Sequence, residues 1–156
     1  KIEPGIYRTT KYLPGYEAQV GPDQIILIRT DGQFAPSSVL VASSAVNNQW
    51  RFSMPGIRVP DGASDWAESL VQLPHEGFYR LNEEMDFGEG GKWLVGAILQ
   101  LGYNRRGEPL LFIARRRTPL AENDLFFSKS GIKVDDSFFA RLDPLAWHEE
   151  SDPTQN

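Results

Sequence analysis

The sequence contains no cysteine, only two histidines and no long apolar run. Without cysteine the chain can form neither a disulfide nor a thiolate metal site, and it has no cysteine nucleophile. No apolar stretch approaches the roughly 18 residues of a membrane-spanning helix, and the printed chain shows no signal-peptide pattern. We therefore expect a protein without a membrane span, in the cytoplasm or, if a leader has been removed, in the periplasm.

The charge balance argues against a surface built wholly for nucleic acid or acidic membranes, because the formal net charge is −5. Hydrophobic residues make up 40% of the chain and charged residues 24%, which is typical of a folded globular protein. A length of 156 residues fits one domain or two small ones.

A nine-residue pattern occurs twice, at residues 53–61 and 128–136. Glycine, isoleucine, a basic residue, valine and a later aspartate match in register, 75 residues apart, and a phenylalanine precedes both copies. A second pair, Gly-Ile-Tyr-Arg at 5–8 and Gly-Phe-Tyr-Arg at 77–80, is offset by 72 residues. Matches that follow the same order along the chain predict an internal duplication.

Both halves show the pattern of short strands joined by turns. A helical turn is predicted at 65–70, with Asp65 and Glu68 as a capping box, and another at 136–142, capped by Asp136 or Ser137. Apolar patterning predicts strands at 5–10, 24–29, 38–42 and 49–52, and again at 77–83, 93–104, 108–116 and 124–128.

Apolar strand positions of the two halves also align when the central hairpin is allowed to differ in length. Coinciding apolar positions with differing loops are expected of two copies of one fold. The aligned pairs are Ile26–Leu101 and Ile28–Tyr103 at an offset of 75, and Leu40–Phe112 and Ala42–Ala114 at an offset of 72.

Each half therefore contains about five short strands, a long first loop, a tight central hairpin and a helical turn before the last strand. This layout resembles an SH3-like small barrel, without any sequence motif of a known SH3 family. We predict a mainly β protein with two tandem SH3-like barrels at 1–73 and 77–148, a linker at 74–76 and a disordered acidic tail at 149–156. The alternative architecture is one continuous β-sandwich or barrel formed by both halves.

The two histidines occupy matching positions at the end of each half, His75 in the linker and His148 before the tail. Neither has the spacing of a zinc-binding helix, so exposed junction histidines are expected. Clustered carboxylates could bind a cation, but EF-hand spacing is absent and caps or turns explain them more simply. We expect no metal and no cofactor; the carboxylates are Glu83, Glu84, Asp86, Asp135 and Asp136.

Basic residues concentrate in one hairpin of the second half. Arg105 and Arg106 are predicted at its tip, and a triplet of arginines at its far end. Basic side chains beside aromatic ones suit single-stranded nucleic acid or an acidic protein partner, and they also suit a solvated edge that discourages aggregation. The candidate binding residues are Arg105, Arg106, Arg115, Arg116 and Arg117, with Trp93 and Tyr103 on the neighbouring strand.

No nucleophile elbow, dinucleotide fingerprint or ordered catalytic triad is present. We therefore predict a non-enzymatic binding or assembly module that presents a barrel groove and loops to a protein or peptide partner. The aromatic residues to inspect are Tyr7, Trp50, Tyr79, Trp93 and Tyr103, although strand aromatics usually pack inward.

Two further hypotheses come from other classes of function. A nucleic-acid-binding protein would use the arginine-rich hairpin, and its binding would depend steeply on salt. An enzyme would assemble aspartates and glutamates at the contact between the halves, which requires a deep cleft with carboxylates of perturbed pKa.

Overall fold

The computed structural model describes residues 2–30, 32, 36–86, 88–116 and 125–146. Over these residues the chain is mainly β, and its strands pair in antiparallel sheets. The predicted fold class is therefore confirmed at the level of a mainly β protein. Arg117, His148 and the predicted tail at 149–156 lie outside the described residues.

The first sheet is built from residues 5–72. Its strands are ordered β4-β3-β2-β1-β6, and β5 pairs with the other part of β3. A short helix, α1 (Ser64–Glu68), precedes its last strand. The strands are β1 (Gly5–Arg8), β2 (Ile25–Thr30), β3 (Ser37–Val46), β4 (Gln49–Phe52), β5 (Ile57–Arg58) and β6 (Val71–Gln72).

The second sheet is built from residues 77–144 and is ordered β12-β11-β10-β7-β14, with β13 pairing with β11. A separate two-stranded hairpin joins β8 (Met85–Asp86) and β9 (Lys92–Trp93). Turns of 3₁₀ helix cover Gly88–Gly90 and Asp136–Arg141. The other strands are β7 (Gly77–Leu81), β10 (Ile98–Tyr103), β11 (Pro109–Arg116), β12 (Leu125–Phe127), β13 (Ile132–Lys133) and β14 (Leu142–Pro144).

Neither sheet closes on itself within the part of the chain that the structure describes. The closed barrels expected from the sequence are therefore not found there, and the described strands of one sheet do not pair with those of the other. The halves instead meet through side chains. One core cluster joins Ile6, Ile25 and Leu73 of the first half to residues of the second, namely Leu81, Trp93, Leu99, Leu101, Tyr103, Leu111, Phe138 and Leu142.

A second core cluster belongs to the first half alone. It packs one face of the first sheet against the long loop at 9–24 and against α1, which contributes Trp66. The opposite face of the same sheet enters the shared core. The first sheet is thus covered on both sides, and its cluster consists of Tyr7, Leu13, Val20, Ile26, Ile28, Val39, Ala63 and Trp66.

The strand predicted at 93–104 is wrong in its first part. Trp93 pairs with Met85 in the small hairpin, and the chain then turns through Gly96, whose φ of +88° favours glycine. Only from Ile98 does β10 begin. The alternation of apolar residues continues on both sides of the turn, so it does not reveal where the strand is interrupted. Trp93 and Tyr103 therefore lie on different strands.

The predicted alignment of the second strand is shifted by two residues. Gly5 lies opposite Ile28, and Gly77 lies opposite Leu101, so in the register of each sheet Ile28 and Leu101 take the same position and Tyr103 does not. A shift of two keeps every side chain on the same face of a strand. Apolar alternation alone could not detect the error.

The predicted caps of the helical turns also need correction. The N-cap of α1 is Ala63 and has no side-chain hydrogen bond, so the proposed capping box of Asp65 and Glu68 is not formed. In the second half the cap is Asp135, one residue before the predicted position, and its carboxylate accepts the Ser137 amide at 2.9 Å.

The recurring glycine pattern has a packing explanation. A Cβ at Gly56 would lie 3.2 Å from Ser38 Cβ, and one at Gly131 would lie 2.9 Å from Leu110 Cβ. In both sheets the short strand that follows the glycine pairs with the long third strand. The close approach leaves little room for a Cβ at Gly56 and none at Gly131 without a shift of the neighbouring atoms, which favours glycine at both positions.

We predict that Gly131→Ala destabilises the protein by about 1–3 kcal/mol, because its Cβ would overlap Leu110 and a buried Phe112 ring atom 3.0 Å away. Gly56→Ala should cost less, since its nearest contacts are longer. Urea unfolding of both variants beside the wild type measures the difference. Equal losses, or no loss at Gly131, would contradict this account of the pattern.

Candidate functional site

The contact between the halves is centred on Arg8 of β1. Its Nη1 donates to Asp136 Oδ1 at 2.9 Å and to the Gly107 carbonyl at 3.1 Å, and Nη2 donates to Asp136 Oδ2. This fork-shaped pairing suits a guanidinium and a carboxylate. The hydrogen bond from Arg8 to Asp136 raises the pKa of the guanidinium, so the charge is held where both sheets meet.

Trp50 of β4 provides a second connection. Its indole Nε1 donates to the Tyr103 carbonyl at 2.9 Å, and its backbone amide donates to Glu76 Oε2 at 3.0 Å. The Arg105 guanidinium lies over the indole, 5.6 Å from the ring centroid, which is a favourable cation–π distance. One half-buried tryptophan therefore contacts the linker and the second sheet together.

The hairpin that carries Trp50 extends from the first sheet as an arm, residues 42–52. Its tip is formed by Asn47 and Asn48, both with positive φ, as a two-residue hairpin turn requires. Asn48 Nδ2 donates to Gln100 Oε1 at 3.2 Å, and Gln100 Nε2 donates to the Asn47 carbonyl at 3.3 Å. The arm thus reaches across to β10.

Arg105 and Arg106 lie at a hairpin tip, as predicted, but this tip faces the first half. Arg106 forms ion pairs with Asp23 at 3.3 Å and Glu108 at 3.8 Å, while Arg105 covers Trp50. Both arginines therefore take part in the contact between the sheets.

The remaining predicted binding residues are elsewhere. Arg115 and Arg116 lie at the far end of β11, opposite Phe126 and Leu125 of β12. Since β11 has eight residues, roughly 25 Å of strand separates them from the hairpin tip. Arg117 lies outside the described residues.

Trp93 and Tyr103 are both buried in the shared core. The Tyr103 hydroxyl donates to the Pro74 carbonyl at 2.6 Å, and burial raises the pKa of this phenol. Both rings are buried, and Arg115 and Arg116 lie at the far end of β11, so the basic and aromatic residues grouped from the sequence do not form one surface.

The clustered carboxylates each have a local partner. Glu84 pairs with Lys92 at 3.0 Å, Glu83 with Arg141 at 3.6 Å, and Asp86 accepts the Gly88 amide at 2.8 Å. Among the described residues no group of three or more potential metal ligands is found. His75 is exposed in the linker, and its carbonyl accepts the Tyr79 hydroxyl at 2.6 Å.

Glu76 has a carboxyl pKa that is raised by burial. It lies half-buried in the linker between the sheets, and this burial raises its pKa although the Trp50 amide opposes the shift. The pKa of Glu108 is lowered by its hydrogen bond from Lys133, and that of Asp135 by its hydrogen bonds from Ser137. Among the carboxylates of the described residues, Glu76 is the one with a raised pKa, and the enzyme hypothesis stays a prediction.

A pocket of about 540 Å³ opens beside β9 and β10 of the second half. Its wall is mainly apolar, and we call it the apolar pocket. Two rim residues, Leu94 and Val95, are 61% and 66% exposed. Their apolar alternation predicts a position inside a strand, whereas both residues lie in the turn before Gly96. The lining includes Trp93, Leu94, Val95, Ile98, Leu99 and Ile113.

Comparison of the chain with protein-family models, curated protein sequences and solved structures finds no match. Within the described part of the chain, none of the helices has the length and apolar character needed to cross a membrane.

We predict that Arg8→Ala or Asp136→Ala lowers the free energy of unfolding by about 2 kcal/mol, between the costs of exposed and buried ion pairs. The double variant should lose less than the sum of the single losses. Arg106→Ala, which removes a more exposed pair across the same contact, is the control and should cost below about 1 kcal/mol. Additive losses in chemical denaturation would show that Arg8 and Asp136 do not interact.

We predict opposite pH effects for Glu76→Gln and Glu108→Gln. A raised carboxyl pKa means that stability falls as pH rises past the unfolded value, so Glu76→Gln should gain stability relative to the wild type at neutral pH. Glu108 has a lowered pKa, so its variant should lose stability there. The difference for Glu76→Gln should disappear below about pH 4, and the difference for Glu108→Gln only at lower pH, below the lowered pKa of its carboxyl in the folded protein. Melting temperatures across this range measure them, and a gain that persists in acid would contradict the assignment for Glu76.

Proposed function

We propose that the protein is a non-catalytic binding module made of two copies of one SH3-like unit. The second unit binds an apolar segment of a protein or peptide in the apolar pocket. The single observation that carries this proposal is the pocket itself, with two large aliphatic side chains exposed at its rim.

The order of strand pairing supports the duplication. In each half the first strand lies between the second and the last, and the third strand pairs with the second, fourth and fifth. Cross-strand pairs of the first sheet recur in the second sheet at constant offsets along the chain. The pair of Val39 and Ile57 corresponds to the pair of Leu111 and Ile132. Ala42 with Phe52 likewise corresponds to Ala114 with Phe127.

Individual hydrogen bonds recur at the same places. The Ser53 amide donates to the Val41 carbonyl at 2.9 Å, and the corresponding Ser128 amide donates to the Ile113 carbonyl at 3.1 Å. Tyr7 and Tyr79 each donate their hydroxyl to the carbonyl four residues earlier, at 2.8 and 2.6 Å. The chance that unrelated sheets share such details is low, which favours two copies of one unit.

The layout of each unit supports the comparison with SH3-like barrels. A long loop follows the first strand, a hairpin joins the second and third strands, and a helical turn precedes the last strand. In the second unit the long loop contains the β8–β9 hairpin and the rim of the apolar pocket. Binding through an apolar groove beside such a loop is a common mode of peptide recognition.

The composition of the pocket favours binding over chemistry. Lys92, the one ionisable residue among the described lining residues, is paired with Glu84 at 3.0 Å. Large exposed aliphatic side chains around a concave apolar surface are typical of an interaction site. The alternative of single-stranded nucleic acid has less support, because Arg105 and Arg106 are engaged between the sheets.

We predict that peptides selected by the wild-type protein from a phage-displayed random library are apolar and depend on the pocket rim. The double variant Leu94→Ser with Val95→Ser should reduce their affinity by about tenfold or more, since the buried apolar area of two side chains is lost. Calorimetric titration with the synthetic peptides measures this. A matched control changes Val46 and Met54 to serine, which are also exposed but lie in the first unit.

Two outcomes would contradict the proposal. One is a selection that enriches no peptide over an unrelated protein of similar charge. The other is a set of peptides that bind the rim variant and the wild type equally, while both variants keep the wild-type melting temperature.

A further inference from the structure

The hairpin of β10 and β11 in the second unit ends in a tight turn that packs on one end of the first unit. Arg8 Nη1 donates to the Gly107 carbonyl at 3.1 Å, and a Cβ at Gly107 would lie 2.9 Å from Arg8 Cγ. Arg106 of the same turn pairs with Asp23 at 3.3 Å. This end of the first unit therefore receives a hairpin turn in close contact.

The first strand of each sheet carries an arginine at an equivalent position. Arg8 of β1 lies opposite Ile25 of β2. Arg80 of β7 lies opposite Ile98 of β10, and both sheets have the same strand order. Residues directly opposite each other in an antiparallel pair lie on one face of the sheet, so Arg80 is a neighbour of Ile98 as Arg8 is of Ile25.

The turn before the second strand of each sheet also recurs. In the first unit the amide of Asp23, whose φ is +57°, donates to the Thr9 carbonyl at 2.9 Å. In the second unit the amide of Gly96, whose φ is +88°, donates to the Leu81 carbonyl at 2.7 Å. Gly96 therefore takes the position of Asp23, the residue that pairs with Arg106 of the docked turn.

The apolar pocket lies at this same end of the second unit, because Gly96 and Ile98 are among its lining residues. Its position in the second unit is the position at which the first unit receives the hairpin turn. The arrangement within the molecule thus shows what kind of segment this end of a unit can hold.

The two ends differ in polarity. The first unit presents a carboxylate there, and the two residues before it are Gly21 and Pro22. In the second unit the carboxylate is replaced by glycine, and the two preceding residues are Leu94 and Val95, which are both exposed. A turn that binds the second unit must therefore present apolar side chains where the docked turn presents Arg106.

Arg80 supplies a charge beside the pocket. It is exposed, and within the described chain no ion pair or hydrogen bond of its guanidinium is found. Its neighbour on the other side is Asp143 of β14, whose carboxylate accepts the side-chain amide of Asn82 at 3.0 Å. Since the equivalent Arg8 binds a carboxylate and a turn carbonyl, Arg80 can accept the same groups from a bound turn.

We infer that the apolar pocket binds the turn of a β-hairpin in a protein partner, with apolar side chains at the turn and a carboxylate that pairs with Arg80. The inference rests on the proposed function of the second unit, and it specifies the conformation and the charge of the bound segment. A preformed hairpin loses less conformational entropy on binding than a linear peptide does. The constrained form of a bound sequence should therefore have the higher affinity.

Selection from two phage-displayed libraries on the full chain tests the inference. In one library the random residues are closed into a hairpin by a disulfide between two flanking cysteines, and in the other they are linear. The protein contains no cysteine, so it cannot open the disulfide by thiol exchange. We expect enrichment of hairpins that carry apolar residues at the turn and an aspartate or glutamate nearby.

Each enriched hairpin is then synthesised and titrated calorimetrically, both oxidised and in a linear form made by reduction and alkylation. The linear form should bind about tenfold more weakly or worse. Arg80→Gln should weaken binding of the oxidised hairpin by about tenfold, and it should have little effect on a hairpin whose acidic residue is replaced by its amide. The control Arg58→Gln changes an exposed arginine of the first unit and should bind like the wild type.

Three results would overturn the inference: linear forms that bind as tightly as the oxidised ones, hairpins with equal affinity for the wild type and Arg80→Gln, or enrichment from the linear library alone. The proposed function survives each of these if the bound peptides still lose affinity for the double variant Leu94→Ser with Val95→Ser. Enrichment from neither library contradicts both proposals. Melting temperatures establish that the Arg80 and Arg58 variants are folded.

Discussion

The positively charged guanidinium of Arg8 lies in the region where the two sheets meet, and it donates hydrogen bonds there to Asp136 and to the Gly107 carbonyl. A charge that is largely removed from water is stable only when its hydrogen bonds are satisfied. This requirement fixes the turn before β11 and the start of the 3₁₀ turn at Asp136 relative to β1. The orientation of the second unit on the first sheet follows from it.

Apolar contacts add to the ion pair of Arg8 and Asp136 in holding the two units together. Ile6, Ile25 and Leu73 give the first sheet a second buried face, so this sheet is packed on both sides. Small β units bury too little surface to be stable alone, and the shared core offsets that deficit. The second unit keeps an apolar pocket whose rim is exposed.

The glycine pattern is visible in the sequence because it has a local cause. A Cβ would be crowded against β3 at position 56 and would overlap β11 at position 131, and this constraint recurs at a fixed spacing. The contact of Arg8 with Asp136 was not predictable, since the two residues are separated by 128 positions and no pattern relates them. Leu94 and Val95 were misplaced because alternation continues through the turn at Gly96.

The most direct test of the account is an experimental structure in which residues 5–72 are superposed on 77–144. We predict that β1, β3 and β6 superpose at an offset of 72, β2 at 73 and β5 at 75. Every apolar position then falls on the same face in both units. A superposition that requires a slip of one residue in any of these strands would exchange the faces and would contradict the duplication.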